Sequence, residues 1–259
     1  MYIGRTGAGA HYDDGIYILV KEVIDNGIDE FIMGHGERIN VSIEEDMVTI
    51  RDFGRGIPLG KVVDCVSKIN TGAKYNDDVF QFSVGLNGVG TKAVNALSTY
   101  FLVRSHREGE FVEAEFEGGN LVREEKGETD EPNGTLVSFS PDPAIFKKFA
   151  FNPEHLARRL RFYAYLNAKL KIWFNGELFH CKGGLLDLIA DESQFEKIYP
   201  PCHVEDPTLE FACTHTNRFS EEYYSFVNGQ YTSDGGTHLS AFREGLLRGI
   251  NDFANKKFS

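Results

Sequence analysis

Close to Gly34 the spacing of apolar residues changes from three-and-four to two, and few architectures accommodate that junction. Ile16, Val20, Val23, Ile24, Gly27, Ile28 and Phe31 recur at three and four, the period of one helix face. Asp13 and Asp14 can cap its start and Met33-Gly34 ends it, so the spacing predicts a helix from about Gly15 to Met33. Ile39, Val41 and Ile43 then alternate, Glu44-Glu45-Asp46 turns, and Val48 and Ile50 resume the alternation. That pattern is a β-hairpin with one apolar side. A helix and a hairpin that each need one face covered belong in a sheet layered with helices.

The rest of the chain extends this reading. From Gly54 to Gly90 the sequence is rich in Gly, Asn, Asp and Ser, which predicts a helix from about Lys61 to Ile69 and an ordered, mobile loop. "TKAVNALSTY" reads as helix, the stretch from Tyr100 to Gly127 as strands joined by Gly turns, and "GTLVSFSPD" as another strand. "NPEHLARRLRFYAYLNAKL" is an amphipathic helix with Asn152 as cap and Pro153 in its first position. "KIWFNGELFH" is a hairpin about Asn175-Gly176. From Asp191 to Pro207 the chain turns polar and proline-bearing, which marks a boundary between two domains, 1–190 and 191–259. Beyond it lie strand patterns ("TLEFACTHT", "EEYYSFVNGQYT"), a Gly-rich turn and a helix from about Leu239 to Asn255. The expected fold class is α+β, with mostly antiparallel strands and helices grouped to one side.

A net charge of -12 over 259 residues argues against a broad surface for a phosphate backbone, which needs clustered Lys and Arg. It leaves open a single pocket in which backbone N–H groups hold an anion. Cys65, Cys181, Cys202 and Cys213 form no C-x-x-C pair, and free thiols in a reducing compartment are expected. No apolar run approaches a membrane span and no leader opens the chain, so the expected location is cytoplasmic, with no membrane partner.

Four motifs carry chemistry. On the first helix, residues three and four apart put Glu22, Asp25, Asn26 and Asp29 on one stripe opposite the apolar one. Such a stripe is either a solvated face or a ligand face, in which Glu22 accepts a proton and Asn26 offers a carbonyl to a metal. "RDFGRGIP" places Asp52 at a strand end, followed by glycines that admit close backbone approach or simply close a turn. "GLNGVGTKAVNAL" sets Gly85, Gly88 and Gly90 before a helix, which is an anion site or a flexible linker. Its Thr91-Lys92 order is the reverse of a P-loop's. In "PNGTLVSF", Thr135 opens a strand.

In order and spacing these motifs resemble the GHKL ATPases. "MYIG", "KEVIDNGIDE", "RDFGRGIP", "GLNGVG..AVNALS", "NGT" and "DGGTH" together resemble the ATPase region of bacterial type II topoisomerase B subunits. "GIPLGKVVDCVSKINTGAKY" leans towards the topoisomerase IV branch rather than gyrase. The resemblance implies a Bergerat-type α/β sandwich followed by a partial transducer domain, with ATP and Mg²⁺ as cofactors. It implies that Glu22 is the general base for the attacking water and that Asn26 holds Mg²⁺. Asp52 would accept from the adenine amino group, with Thr135 assisting through an ordered water. Gly56, Ile57 and Pro58 would line the adenine pocket. Gly85, Leu86, Asn87, Gly88, Val89 and Gly90 would wrap the triphosphate, with Lys74 adding charge. Glu30 paired with Arg55, and Arg107 at the pocket mouth, would shape the side that takes ATP-competitive inhibitors. The implied partners of the whole protein are a DNA-cleaving A-type subunit, DNA and a second B subunit in an ATP-dependent homodimer.

The sequence departs from the family at three places. Position 53 is Phe where many relatives carry an acid or Tyr, and position 27 is Gly where Ser or Ala is usual. The third is that no Gln-Thr-Lys occurs; the sequence also opens directly at Met1-Tyr2-Ile3-Gly4, so a piece without the family's subunit-exchanging N-terminal arm is expected. The expectation is a fragment that binds nucleotide, hydrolyses it weakly and is mostly monomeric. The competing readings are the B subunit of gyrase, a MutL-type mismatch-repair ATPase and a non-catalytic nucleotide-sensing module. Asp25 and Asp29 have no assigned role, and Gly27 is expected to keep the helix surface low beside the nucleotide.

Overall fold

A computed structural model describes residues 6–68 and 89–258. The first apolar stripe forms α1 (Gly15–Ile32), and Met33 and Gly34 return their N–H groups to the carbonyls of Asp29 and Phe31. The hairpin follows as β1 (Arg38–Glu44) and β2 (Met47–Asp52). A single 3-10 turn (Leu59–Lys61) leads into α2 (Val62–Ser67), and α3 (Gly90–Ala96) precedes β3 (Ser98–Arg107). The expected helix through "STY" therefore stops earlier. Ser98 Oγ bonds the Val94 carbonyl, and Ser98 and Tyr100 pair with β6 while Thr99 is passed over at a bulge.

β4 (Glu110–Glu117), β5 (Asn120–Glu128) and β6 (Gly134–Pro141) complete the central strands. A short α4 (Pro143–Phe146), not anticipated, precedes α5 (Pro153–Leu166). Asn152 Oδ1 caps α5 by accepting from Glu154 N at 2.9 Å, as its position suggested. The helix ends at Leu166, earlier than the pattern implied, because the Asn167 backbone leaves helical geometry and its amide bonds the Tyr163 carbonyl. The hairpin β7 (Lys171–Phe174) and β8 (Glu177–Phe179) turns on Asn175-Gly176, followed by α6 (Leu185–Glu192).

The strands form one eight-stranded sheet in the order β5-β4-β3-β6-β2-β1-β7-β8, antiparallel except where β1 meets β7. Alternation sends Val41, Ile50, Val103, Ala114, Phe139 and Ile172 into one buried cluster with Ile16, Val20, Ile24 and Leu160 of the helices. Each such side chain, fully buried, stabilises the fold by about 1.5–3 kcal/mol. Helix α1 lies on β2, α3 on β3 and α5 on β7. The other sheet face carries Arg38, Asn40, Thr49, Arg51 and Trp173, which line a cavity of about 410 Å³.

Past α6, two small ribbons stand apart from that sheet. They are β9 (Cys202–Asp206) with β10 (Leu209–Cys213), and β11 (Phe226–Val227) with β12 (Gln230–Tyr231). The second is much shorter than "EEYYSFVNGQYT" suggested, since only the residues flanking Asn228-Gly229 pair. It docks by aromatic contacts, with the Phe162 ring 5.0 Å from Tyr231 and 5.5 Å from Phe226. The last helix, α7 (Thr237–Phe258), extends beyond the expected span at both ends.

Candidate functional site

Helix α1 is the spine of the site. Glu22, Asn26 and Glu30 follow at intervals of four along one line of it. The Asn26 amide nitrogen donates to the Glu22 carbonyl at 2.9 Å and to Thr91 Oγ1 at 2.8 Å, which orients the amide oxygen the other way. Thr91 belongs to α3, so this bond joins the two helices. The sequence offered Thr91 only as a broken P-loop. Gly90 lies closer still: a Cβ there would sit 2.1 Å from Glu22 Oε2. Backbone at the end of the Gly-rich segment thus meets the Glu22 carboxylate at a distance that no side chain permits. Val89 is the N-cap of α3.

The polar stripe on α1 divides differently from the helical-wheel reading. Asp25 and Asp29 are not solvated; they are buried, at 1% and 3% exposure. Asp25 Oδ1 accepts from the Tyr163 hydroxyl at 2.6 Å, and Oδ2 accepts from Lys21 Nζ at 2.6 Å and Gln230 Nε2 at 3.3 Å. A buried carboxylate with three donors is a structural anchor. Lys21 also lies 3.6 Å from Glu22 Oε1.

Gly27 has a packing role. A Cβ there would meet Ile39 Cδ1 at 2.9 Å and Asp52 Cβ at 3.1 Å. The glycine lets α1 settle onto the β1–β2 hairpin, so it acts through the sheet beneath the helix as well as through its neighbour Asn26.

Asp52 ends β2 and is buried. Its Oδ1 accepts from Gly54 N at 2.9 Å and from Thr135 N at 3.2 Å. Burial pushes its pKa up, and the two backbone bonds and the Arg51 charge oppose that rise. Thr135 therefore reaches Asp52 through its own N–H. Gly56, at φ +77, brings the next turn against the His106 carbonyl, and Ser105 Oγ bonds the Ile57 carbonyl at 2.7 Å. Pro58 leads into the 3-10 turn, and Arg107 Nη1 reaches the Gly56 carbonyl at 3.4 Å. Glu30 takes Arg55 in a fork, Nε to Oε2 at 3.0 Å and Nη2 to Oε1 at 2.8 Å. Burial works to raise the Glu30 pKa, but the Arg55 bonds and charge outweigh it and hold the carboxyl below its usual value.

Phe53, the departure in the Asp-Phe-Gly stretch, faces away from this site. Its ring lies between two guanidinium groups, 5.1 Å from Arg38 and 5.0 Å from Arg51. Lys74, Gly85, Leu86, Asn87 and Gly88 lie outside the described residues, as does the 71–83 stretch. Among the described residues, Glu22, Asn26, Glu30, Asp52, Arg55, Gly56, Ile57, Pro58, Gly90, Arg107 and Thr135 are placed around α1, the end of β2 and the starts of α3 and β6.

In the helix-layered sheet, the acid and the amide on one helix and the buried Asp at a neighbouring strand end fall within a stretch that matches a family of ATPases. Residues 11–144 match the family described as histidine kinase-, DNA gyrase B-, and HSP90-like ATPase, and residues 174–259 match DNA gyrase B. The chain belongs to that ATPase family, in its type II topoisomerase B branch. It is 55% identical over 260 residues to the B subunit of DNA topoisomerase 4 from Borreliella burgdorferi, covering 100% of this chain and 43% of the relative. It is 37% identical to the B subunit of DNA gyrase from Thermotoga maritima, covering 99% and 44%. The crystal structure of the 43K ATPase domain of Thermus thermophilus gyrase B, in complex with an aminocoumarin, is similar at 32% identity with a TM-score of 0.78. That match covers 99% of this chain and 71% of the other. The chain thus spans less than half the length of the curated relatives it matches. Among the described residues no helix is long and apolar enough to cross a membrane.

Proposed function

We propose that this chain is the ATP-binding and ATP-hydrolysing part of a type II topoisomerase B subunit, of the topoisomerase IV kind, which couples nucleotide turnover to DNA strand passage. The reading rests above all on one juxtaposition: Glu22 and Asn26 of α1 meet Gly90 and Thr91 of α3. Higher identity to the topoisomerase IV relative than to the gyrase one, 55% against 37%, favours that branch. Gyrase B is the second reading, carried by the match of 174–259.

In this reading Glu22 takes the proton of the water that attacks the γ-phosphate. The close backbone of Gly90 holds the carboxylate against the phosphate-facing segment. The Asn26 amide, with its nitrogen committed to Glu22 and Thr91, has an oxygen suited to Mg²⁺, a hard cation that prefers oxygen donors. Held there, Mg²⁺ would supply positive charge to offset the charge that develops on the phosphates. Asp52 accepts from the adenine amino group through Oδ2, since Oδ1 is engaged by Gly54 and Thr135. Gly56, Ile57 and Pro58 line the base pocket. The triphosphate contacts are assigned to Gly85, Leu86, Asn87, Gly88, Val89 and Gly90, with Lys74 adding charge. The Glu30–Arg55 fork and Arg107 form the rim, where ATP-competitive inhibitors bind. Residues 1–190 form the nucleotide domain, and 191–259 begin a transducer. The partners are an A-type subunit, DNA and a second copy of the whole B-type protein, and the compartment is the cytoplasm.

The decisive experiment compares Glu22→Ala and Asp52→Asn in the full-length protein, reading ATP affinity by calorimetry and phosphate release. Glu22→Ala should keep nucleotide affinity and lose hydrolysis, whereas Asp52→Asn should lose affinity. Unchanged phosphate release by Glu22→Ala would refute the base assignment.

A further inference from the structure

Alternation along β2 sends Arg51 to the sheet face opposite Asp52, yet its side chain is buried and turned back on the strand end. Nη1 donates to the Asp52 carbonyl at 2.8 Å and Nη2 to the Pro132 carbonyl at 2.5 Å. Pro132 lies three residues before Thr135, whose N–H holds Asp52 Oδ1. One guanidinium therefore bridges the two segments whose convergence places the carboxylate. The guanidinium carbon stands over the Phe53 ring, 5.0 Å from its centre. Gly134 leaves the space: a Cβ there would sit 2.2 Å from the Asp52 carbonyl oxygen and 2.5 Å from Arg51 Nη1.

From this geometry we propose that Arg51 is a positioning residue for recognition of the nucleotide base, clamping Asp52 from the reverse face without touching nucleotide. The proposal rests on the assignment of Asp52 to the adenine amino group. Its second effect is electrostatic. Asp52 faces Arg51 of its own strand and Glu30 of α1, while Glu131, before β6, faces Arg51. Burial raises the Asp52 pKa, Arg51 lowers it and Glu30 adds to the rise. Removing the guanidinium charge moves the Asp52 carboxyl further up, so the acceptor is protonated at a higher pH.

The test measures ATP affinity by titration calorimetry across pH for Arg51→Gln, Arg51→Lys and Asp52→Asn. Glutamine keeps one donor group and no charge. It should weaken ATP binding about tenfold near neutral pH, the scale of one lost charged hydrogen bond. It should also shift upward the pH below which binding falls away. Lysine keeps the charge but cannot span both carbonyls, so its pH midpoint should stay near wild type while affinity drops. A merely structural role would lower the melting temperature and leave the pH midpoint in place. Wild-type affinity and pH dependence in Arg51→Gln, with Asp52→Asn weakened, would overturn the proposal alone. Wild-type affinity in Asp52→Asn would remove the base assignment and the proposal with it. Should Arg51→Gln not fold, Arg51→Lys decides, because wild-type affinity in that variant refutes the clamp.

Discussion

Replacing Tyr163 by Phe removes one oxygen from the interior and leaves the carboxylate of Asp25 without its shortest neutral donor. Both residues are almost fully buried, at 3% and 1% exposure, and the bond is 2.6 Å long. Burial, and then the Asp25 charge, push the Tyr163 phenol well above its usual pKa, so it remains a donor throughout the working pH range. Hydrogen bonds to charged groups contribute about 1.5–3 kcal/mol. Lys21 and Gln230 still serve Oδ2, which places the expected loss near the lower part of that range, about 2 kcal/mol. For a chain of this size each kcal/mol moves the melting temperature by about 2–4 °C, giving a fall of about 4–8 °C. Calorimetric unfolding of wild type, Tyr163→Phe, Asp25→Asn and the double variant measures the term directly as the coupling energy of the cycle. Additive single effects, or an unchanged melting temperature in Tyr163→Phe, would show that Asp25 is not anchored by this bond.

Gly90→Ala should leave the sheet and its melting temperature largely intact. It should suppress phosphate release, because the new methyl would stand 2.1 Å from Glu22 Oε2 and displace the carboxylate. Wild-type turnover there would mean that Glu22 acts from elsewhere. Asp52→Asn should stabilise the unliganded fold at neutral pH while weakening nucleotide, since burial disfavours the ionised acid. The sign follows from a folded pKa above the unfolded one: the ionised form destabilises the fold above that pKa, and lowering pH through the window relieves it. A urea midpoint that falls in Asp52→Asn contradicts this. Glu30 has the opposite sign, a depressed folded pKa, so its contribution is present above the unfolded pKa and lost as pH drops through the folded one. Arg55→Ala should therefore flatten the acid limb of stability against pH. Among the thiols, exposed Cys202 should alkylate well before Cys181, which is buried and bonds Asp187, its thiol pushed up to about 11.

The elements legible from sequence are those whose signals are local. The period change at Gly34, the Asn152-Pro153 cap and the Asn175-Gly176 turn each depend on neighbours a few residues away, and each forms as read. The burial of Asp25 is not legible because two of its three partners, Tyr163 and Gln230, lie 138 and 205 residues along the chain. A helical wheel registers only that a residue is polar. The packing role of Gly27 is hidden for the same reason, since the atoms that exclude a side chain there belong to Ile39 and Asp52. Arg51 opens the stretch RDFGRGIP but gets no role from it, because its contact with Pro132 comes from 81 residues along the chain and the clamp approaches from the sheet's other face. Thr91 is the member of the site that a spacing argument has within reach: it follows Gly90 directly and opens a helix that must face α1.

The bond from Gln230 to Asp25 has a mechanical consequence. A hairpin near the far end of the chain is tied to the turn of α1 that also carries Asn26, and the stacked Phe162, Phe226 and Tyr231 rings stiffen the tie. Load on that hairpin is delivered one residue away from the Asn26 amide that joins α1 to Thr91 of α3, with no intervening loop to absorb it. Any displacement of the hairpin must break an amide–carboxylate contact or rotate the helix with it.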